Sequence, residues 1–172
     1  MALSISGSSP SFTTYQGGVI TSGTAQASTS GTSITFTGIP SWVKRVSVMF
    51  QGVSTSGTST YLIRIGSGSV TSTGYSAGVA YCGSAQSFVA STAGFPLNAT
   101  TAAQAWSGIL TINLLNSSTF LYTQAGNVTD AAAYAAISGG NVTLSGLLDR
   151  VVVTTVNGTD TFDAGSINIL YE

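Results

Sequence analysis

The chain contains no histidine and only one cysteine, Cys82. Histidine is the commonest general base and the commonest metal ligand. Its absence means this chain alone cannot assemble a Ser–His–Asp or Cys–His site. A single cysteine cannot build a multi-cysteine zinc site. Cys82 sits in Gly78-Val79-Ala80-Tyr81-Cys82-Gly83 with no cationic neighbour to activate a thiolate. The expectation there is a small, buried or half-buried hydrophobe. Charge is also scarce. Asp, Glu, Lys and Arg make up 5% of the 172 residues, against about 25% in an average domain. The net charge is -1, so there is neither the basic footprint of a nucleic-acid-binding protein nor a polybasic membrane patch. No run approaches the roughly 20 apolar residues of a membrane span. Met1–Gly7 lacks the positive segment and apolar run of a secretory signal. The expectation is a protein made in the cytoplasm, with no nucleic-acid or membrane partner, no metal and no cofactor.

What remains is apolar residues at 43%, with polarity carried by Ser, Thr, Asn, Gln and Gly. This is not the signature of disorder, which combines low hydrophobicity with high net charge. A chain of this length fits one domain and can bury roughly 70% of its unfolded surface. Few charges leave little to keep like surfaces apart, so contact with other chains is expected.

Residues 1–30 are rich in Ser, Thr and Gly, with Phe12, Tyr15, Val19 and Ile20 scattered among them. Phe12 and Tyr15 are costly to leave in water, at roughly 2 kcal/mol each. The segment reads as an extended arm that anchors the protein on a neighbour, and residues 31–172 as the folded domain. From Gly31 the pattern changes to short alternating segments, the mark of half-buried strands. Ile34 and Phe36 share a face, as do Val46, Val48 and Phe50, and Tyr61, Ile63 and Ile65. Residues 66–80 read as turns and an edge strand. In the long run Trp106–Leu115, one face takes Trp106, Gly108, Leu110, Ile112 and Leu114. Ile109 and Leu115 fall on the other, which implies cover on both sides. Further strands are expected at Thr119–Gln124, Asn141–Leu144, Arg150–Val156 and Ser166–Tyr171, with a turn at Asn157-Gly158. Only Asp130–Ile137 has a helical look, with Asp130 as a cap. The fold expected is all-β, a β-sandwich of jelly-roll type.

Chemistry-bearing motifs are few. Asn-x-Ser/Thr occurs at Asn98, Asn116, Asn127, Asn141 and Asn157, but chance matches are expected in so Ser/Thr-rich a chain. Asn157–Asp163 gathers acceptor oxygens in a turn and lacks the Glu and spacing of a known calcium loop. Asp160 and Asp163 are the nearest approach to a carboxylate pair, without a surrounding base or nucleophile. Among the aromatics, most fall in strand patterns. Tyr75 and Tyr81, set among glycines, are the candidates for a surface contact such as stacking on a sugar ring.

Two stretches carry a family resemblance. Gly38-Ile39-Pro40-Ser41-Trp42-Val43-Lys44-Arg45-Val46 with Met49–Ser59 is the first, and Leu148-Asp149-Arg150 through Thr154–Ile169 is the second. Both resemble a module of tailed-bacteriophage and prophage virion proteins, over roughly Gly23–Glu172. The resemblance implies a structural component of the virion surface, as a tail-fibre-like appendage or a capsid decoration or head-fibre protein. It also implies other virion proteins as partners, a homo-oligomer with a trimer favoured, contact with the host surface and its glycans, and no catalytic residues. Modules of this kind often end longer proteins. The short leader here shifts the expectation toward the capsid. The reading from another class is a free carbohydrate-binding module or, less in keeping with the residues, a glycoside hydrolase.

Overall fold

The computed structural model describes residues 20–83, 86–97, 101–102, 104–130 and 134–172. Among them the chain is all-β, with no helix. The strands are β1 (Thr21–Ser22), β2 (Gln26–Ala27), β3 (Ile34–Thr37), β4 (Arg45–Thr55), β5 (Tyr61–Ser67), β6 (Ser69–Val70) and β7 (Ser76–Cys82). They continue with β8 (Ser87–Ser91), β9 (Phe95–Leu97), β10 (Trp106–Asn116), β11 (Leu121–Thr129), β12 (Ala135–Thr143), β13 (Arg150–Thr155) and β14 (Phe162–Tyr171).

Two antiparallel sheets form a sandwich-like core. The larger runs β1-β14-β4-β10-β11-β12-β7-β8, with β2 also on β14; the smaller runs β3-β13-β5-β6, with β9 also on β5. With the meander β10–β11–β12 counted as one position, β3-β13-β5-β9 faces β4-meander-β7-β8. That is the strand order of an eight-position jelly roll. β14 is added outside β4, where it supplies the pairing surface for β1 and β2.

The alternation read from sequence sets the faces. Val46, Val48 and Phe50 of β4, Leu110 and Ile112 of β10, and Ile167 and Ile169 of β14 are buried between the sheets. Ile34, Phe36, Ile63, Ile65, Val151 and Val153 meet them from the smaller sheet. Tyr61 and Phe162 join the layers with ring centroids 6.2 Å apart. At the Asn157-Gly158 turn, Gly158 takes φ 66° and its N–H donates to Thr155 O at 3.2 Å. The Asn157 side-chain oxygen accepts from the amides of Thr159 and Asp160 at 3.1 and 3.2 Å. The turn is therefore closed by its own Asn, as its residue types favour.

Three expectations are corrected and a fourth holds in part. The helix expected over Asp130–Ile137 does not form where the structure describes it. Ala135–Ile137 open β12, and Asp130 accepts the Tyr134 N–H at 3.0 Å across the β11–β12 connection. Pairing with β11 on one side and β7 on the other outweighs the helix propensity of the alanines. The folded domain also starts before Gly31. Thr21–Ser22 and Gln26–Ala27 pair with β14, and buried Ser28 donates to Ala164 O at 2.8 Å. Within residues 66–80, read as turns and an edge strand, β6 does lie at the edge of the smaller sheet, whereas β7 is an interior strand between β12 and β8. Finally, Ile109 and Leu115 are exposed rather than covered.

Candidate interaction surface

The outer faces of the two sheets differ. On the smaller sheet, the segment after β8 folds back over β5: Arg64 Nε donates to Ala93 O at 2.8 Å, and Leu62 is wholly buried. Nothing among the described residues lies in the same way over the centre of the larger sheet, where Ile109 and Ile137 stay exposed.

Strand register lays out that face row by row. One row crosses Asn168, Met49, Ile109, Asn127, Ile137, Ala80 and Phe88. Ile109, Ile137 and Phe88 in it are 41%, 56% and 69% exposed. The neighbouring row is Leu170, Ser47, Thr111, Ala125, Gly139, Gly78 and Ala90. Over β11, β12, β7 and β8 that row is Ala125, Gly139, Gly78 and Ala90, so Ile109 and Ile137 stand above it, and the Phe88 ring occupies the space that a side chain on Gly78 would need. Strands β10, β11, β12, β7 and β8 contain no charged residue. Charges are confined to the margins. Arg45 pairs with Glu172 at one corner, and Asp163 accepts the Ser54 hydroxyl at another.

Ile20, one of the four residues expected to anchor the chain, stands at the Arg45–Glu172 corner. It is 60% exposed and borders a hollow with Ser47, Thr111, Leu170 and Tyr171. Phe12, Tyr15 and Val19 lie outside the described residues. Ile20, the first described residue, thus stands at a corner of the open face.

Tyr75 and Tyr81, expected at the surface, are buried at 3% and 7% exposure. Glycine-rich flanks do not expose them: Tyr81 lies in β7, an interior strand whose alternate side chains point into the sandwich, and Tyr75 immediately precedes that strand and points the same way. Tyr75 packs edge-on against Phe95 with centroids 5.0 Å apart, and its hydroxyl accepts the Ile65 N–H at 2.9 Å. Burial pushes its phenol up to about 12. Tyr81 packs edge-on against Trp106, and its hydroxyl accepts from Gln104 Nε2 at 3.0 Å. Neither ring is presented for stacking on a ligand. Cys82, expected to be at least half-buried, is exposed at the end of β7.

The Asp160 carboxylate accepts the Ser59 N–H at 3.0 Å and the Asn157 side-chain amide at 2.6 Å. The Asn157–Asp163 turn therefore uses its acceptors to clamp the β4–β5 loop. Among the described residues, no group of three or more potential metal ligands comes together. The open face was not legible beforehand, because its rows combine residues from seven strands whose register the sequence does not display. The one visible signal was Ile109, facing away from the Trp106 side of β10.

No family model, curated protein or solved structure matches the chain.

Proposed function

We propose that the chain is a structural protein of the outer surface of a tailed-bacteriophage particle, attached through its N-terminal segment and displaying the sandwich. In this reading it is not an enzyme; its work is to cover, extend or present. The observation that carries the reading is where the two segments resembling the virion module lie. They are far apart in sequence, yet they adjoin in space. The first builds β4 and the loop after it; the second builds β13, the Asn157-Gly158 turn and most of β14. β4 and β14 pair along their length. Beyond them, Ser56 N donates to Thr161 O at 2.8 Å, Ser59 N to Asp160 Oδ2 at 3.0 Å, and Asn157 N to Ser59 Oγ at 3.1 Å. Two resemblances that meet in one hydrogen-bonded unit support a shared module better than two scattered ones would. The jelly-roll strand order adds support, since capsid proteins use that architecture.

Burial of Tyr75 and Tyr81 weighs against a sugar-stacking site built on those rings, so host-glycan contact enters the proposal without assigned residues. The test is fractionation of a lysate from cells producing the particle that encodes this chain. The chain should band with purified particles and be quantifiable in them by mass spectrometry. Hundreds of copies per particle assign it to the capsid, and a few to tens assign it to the tail. Recovery only in the particle-free fraction overturns the proposal.

A further inference from the structure

The open face of the larger sheet has the composition and the size of an interface between copies of this chain. We infer that it is buried against a second copy in the assembled protein. The inference takes its choice of partner from the proposed multi-copy role, but it stands or falls on different data.

Three features favour a second copy over an unlike partner. First, the five central strands carry no charge and the outer strands β4 and β14 add only Arg45 and Asp163 at the margins, so bringing identical surfaces together juxtaposes few like charges, which are the usual obstacle to self-contact. The Arg45–Glu172 pair at the corner is already neutralised within the chain. Second, the relief suits another flat sheet. A raised row led by Ile109 and Ile137 lies beside the low positions Ala125 and Gly139. Ridges of one copy can settle on the low row of the other at the roughly 10 Å separation of packed sheets. Third, the area suffices. Seven strands form the face. At about 4.8 Å spacing and about 27 Å of strand length they cover roughly 900 Å², and a stable interface uses about 800 Å² per partner.

The experiment uses the full chain and light scattering coupled to size exclusion, from 1 to 100 µM. The wild type should run at twice the monomer mass, because a face packed on its own copy closes at two subunits. Ile109→Lys with Ile137→Lys should run as a monomer with an unchanged circular dichroism spectrum, since both positions are exposed in the single chain. Phe12→Ser with Tyr15→Ser should remain assembled, because the inference rests the contact on the sheet face alone. A second readout does not depend on the lysine variant folding. Ile137→Cys in a Cys82→Ser background should react with a thiol reagent at least tenfold more slowly at 100 µM than at 1 µM. A monomeric wild type, an assembled double-lysine variant, loss of assembly in the Phe12/Tyr15 variant, or concentration-independent reactivity at position 137 would each overturn the inference. Particle association measured separately can fail while self-assembly holds, and the reverse, so the two proposals are distinguishable.

Discussion

Replacing Tyr75 with phenylalanine removes one oxygen atom and nothing else, at a place where that oxygen stands in for a missing strand. β5 is paired on its outer edge by β9 opposite Tyr61–Ile63 and by β6 opposite Gly66–Ser67. Between them the Ile65 N–H points at no backbone carbonyl. It donates to the Tyr75 hydroxyl at 2.9 Å, and that hydroxyl lies 3.1 Å from Thr71 O and 3.3 Å from Ile65 O. In Tyr75→Phe the ring still packs on Phe95, but the Ile65 amide is left buried without a partner. An unsatisfied buried donor costs about 1–3 kcal/mol. A chain of this size loses about 2–4 °C in Tm per kcal/mol, so the expected drop is roughly 2–12 °C. Differential scanning calorimetry at neutral pH measures it, and urea titration should show a lower midpoint with an unchanged slope. A Tyr75→Phe protein as stable as the wild type would refute the claim that the phenol completes the β5 edge.

Alkaline pH should act on the same residue. Burial is the main cause that pushes Tyr75 and Tyr61 up to about 12, so folding favours their neutral forms. That stabilisation is complete below about pH 10, where the unfolded phenols are still neutral. It is lost as pH rises toward 12, by about 1.4 kcal/mol per unit for each group. Phenolate absorbance from these two should appear only with unfolding, and early titration of all seven tyrosines in the folded protein would contradict the placement. In the core, Gln124 Oε1 accepts from Ser138 at 3.1 Å while Gln124 Nε2 has no partner among the described residues. Gln124→Met with Ser138→Ala should leave the protein as stable or more so by about 1 kcal/mol, read from the urea midpoint; a loss above that would show a polar role for the pair. Deleting residues 2–19 should leave the melting temperature within a few degrees. Deleting 2–30 removes the β1 and β2 pairing and the Ser28–Ala164 bond, and should lower stability by several kcal/mol. Equal melting of both truncations would show that these short strands contribute little.

Much of the fold was readable because alternation reports which side of a strand is buried. Ile34 and Phe36, then Val46, Val48 and Phe50, then Trp106, Leu110 and Ile112 all face inward as their spacing requires. The failures share a cause. Ala135–Ile137 alternates between a buried Ala136 and an exposed Ile137, but alanine gives so weak a hydrophobic contrast that the period was invisible. Tyr75 and Tyr81 looked exposed because glycines flank them, whereas here glycine in β7 makes room for Phe88 from the neighbouring strand. Gly23–Ser28 looked like leader because its contribution is backbone pairing, which Ser, Thr and Gly make without any hydrophobic signature. The open face was the least legible feature. Met49, Ile109, Ile137 and Phe88 are dispersed over 89 residues of sequence and align only through the register of six strands.

A cryo-EM map of the parent particle tests the central claim most directly. Density on the particle exterior should accept this sandwich, repeated in symmetry-related copies, with Ile20 directed toward the particle and the Ile109–Ile137–Phe88 face turned to a neighbouring copy. A complete map in which every external density is accounted for by other chains would contradict it.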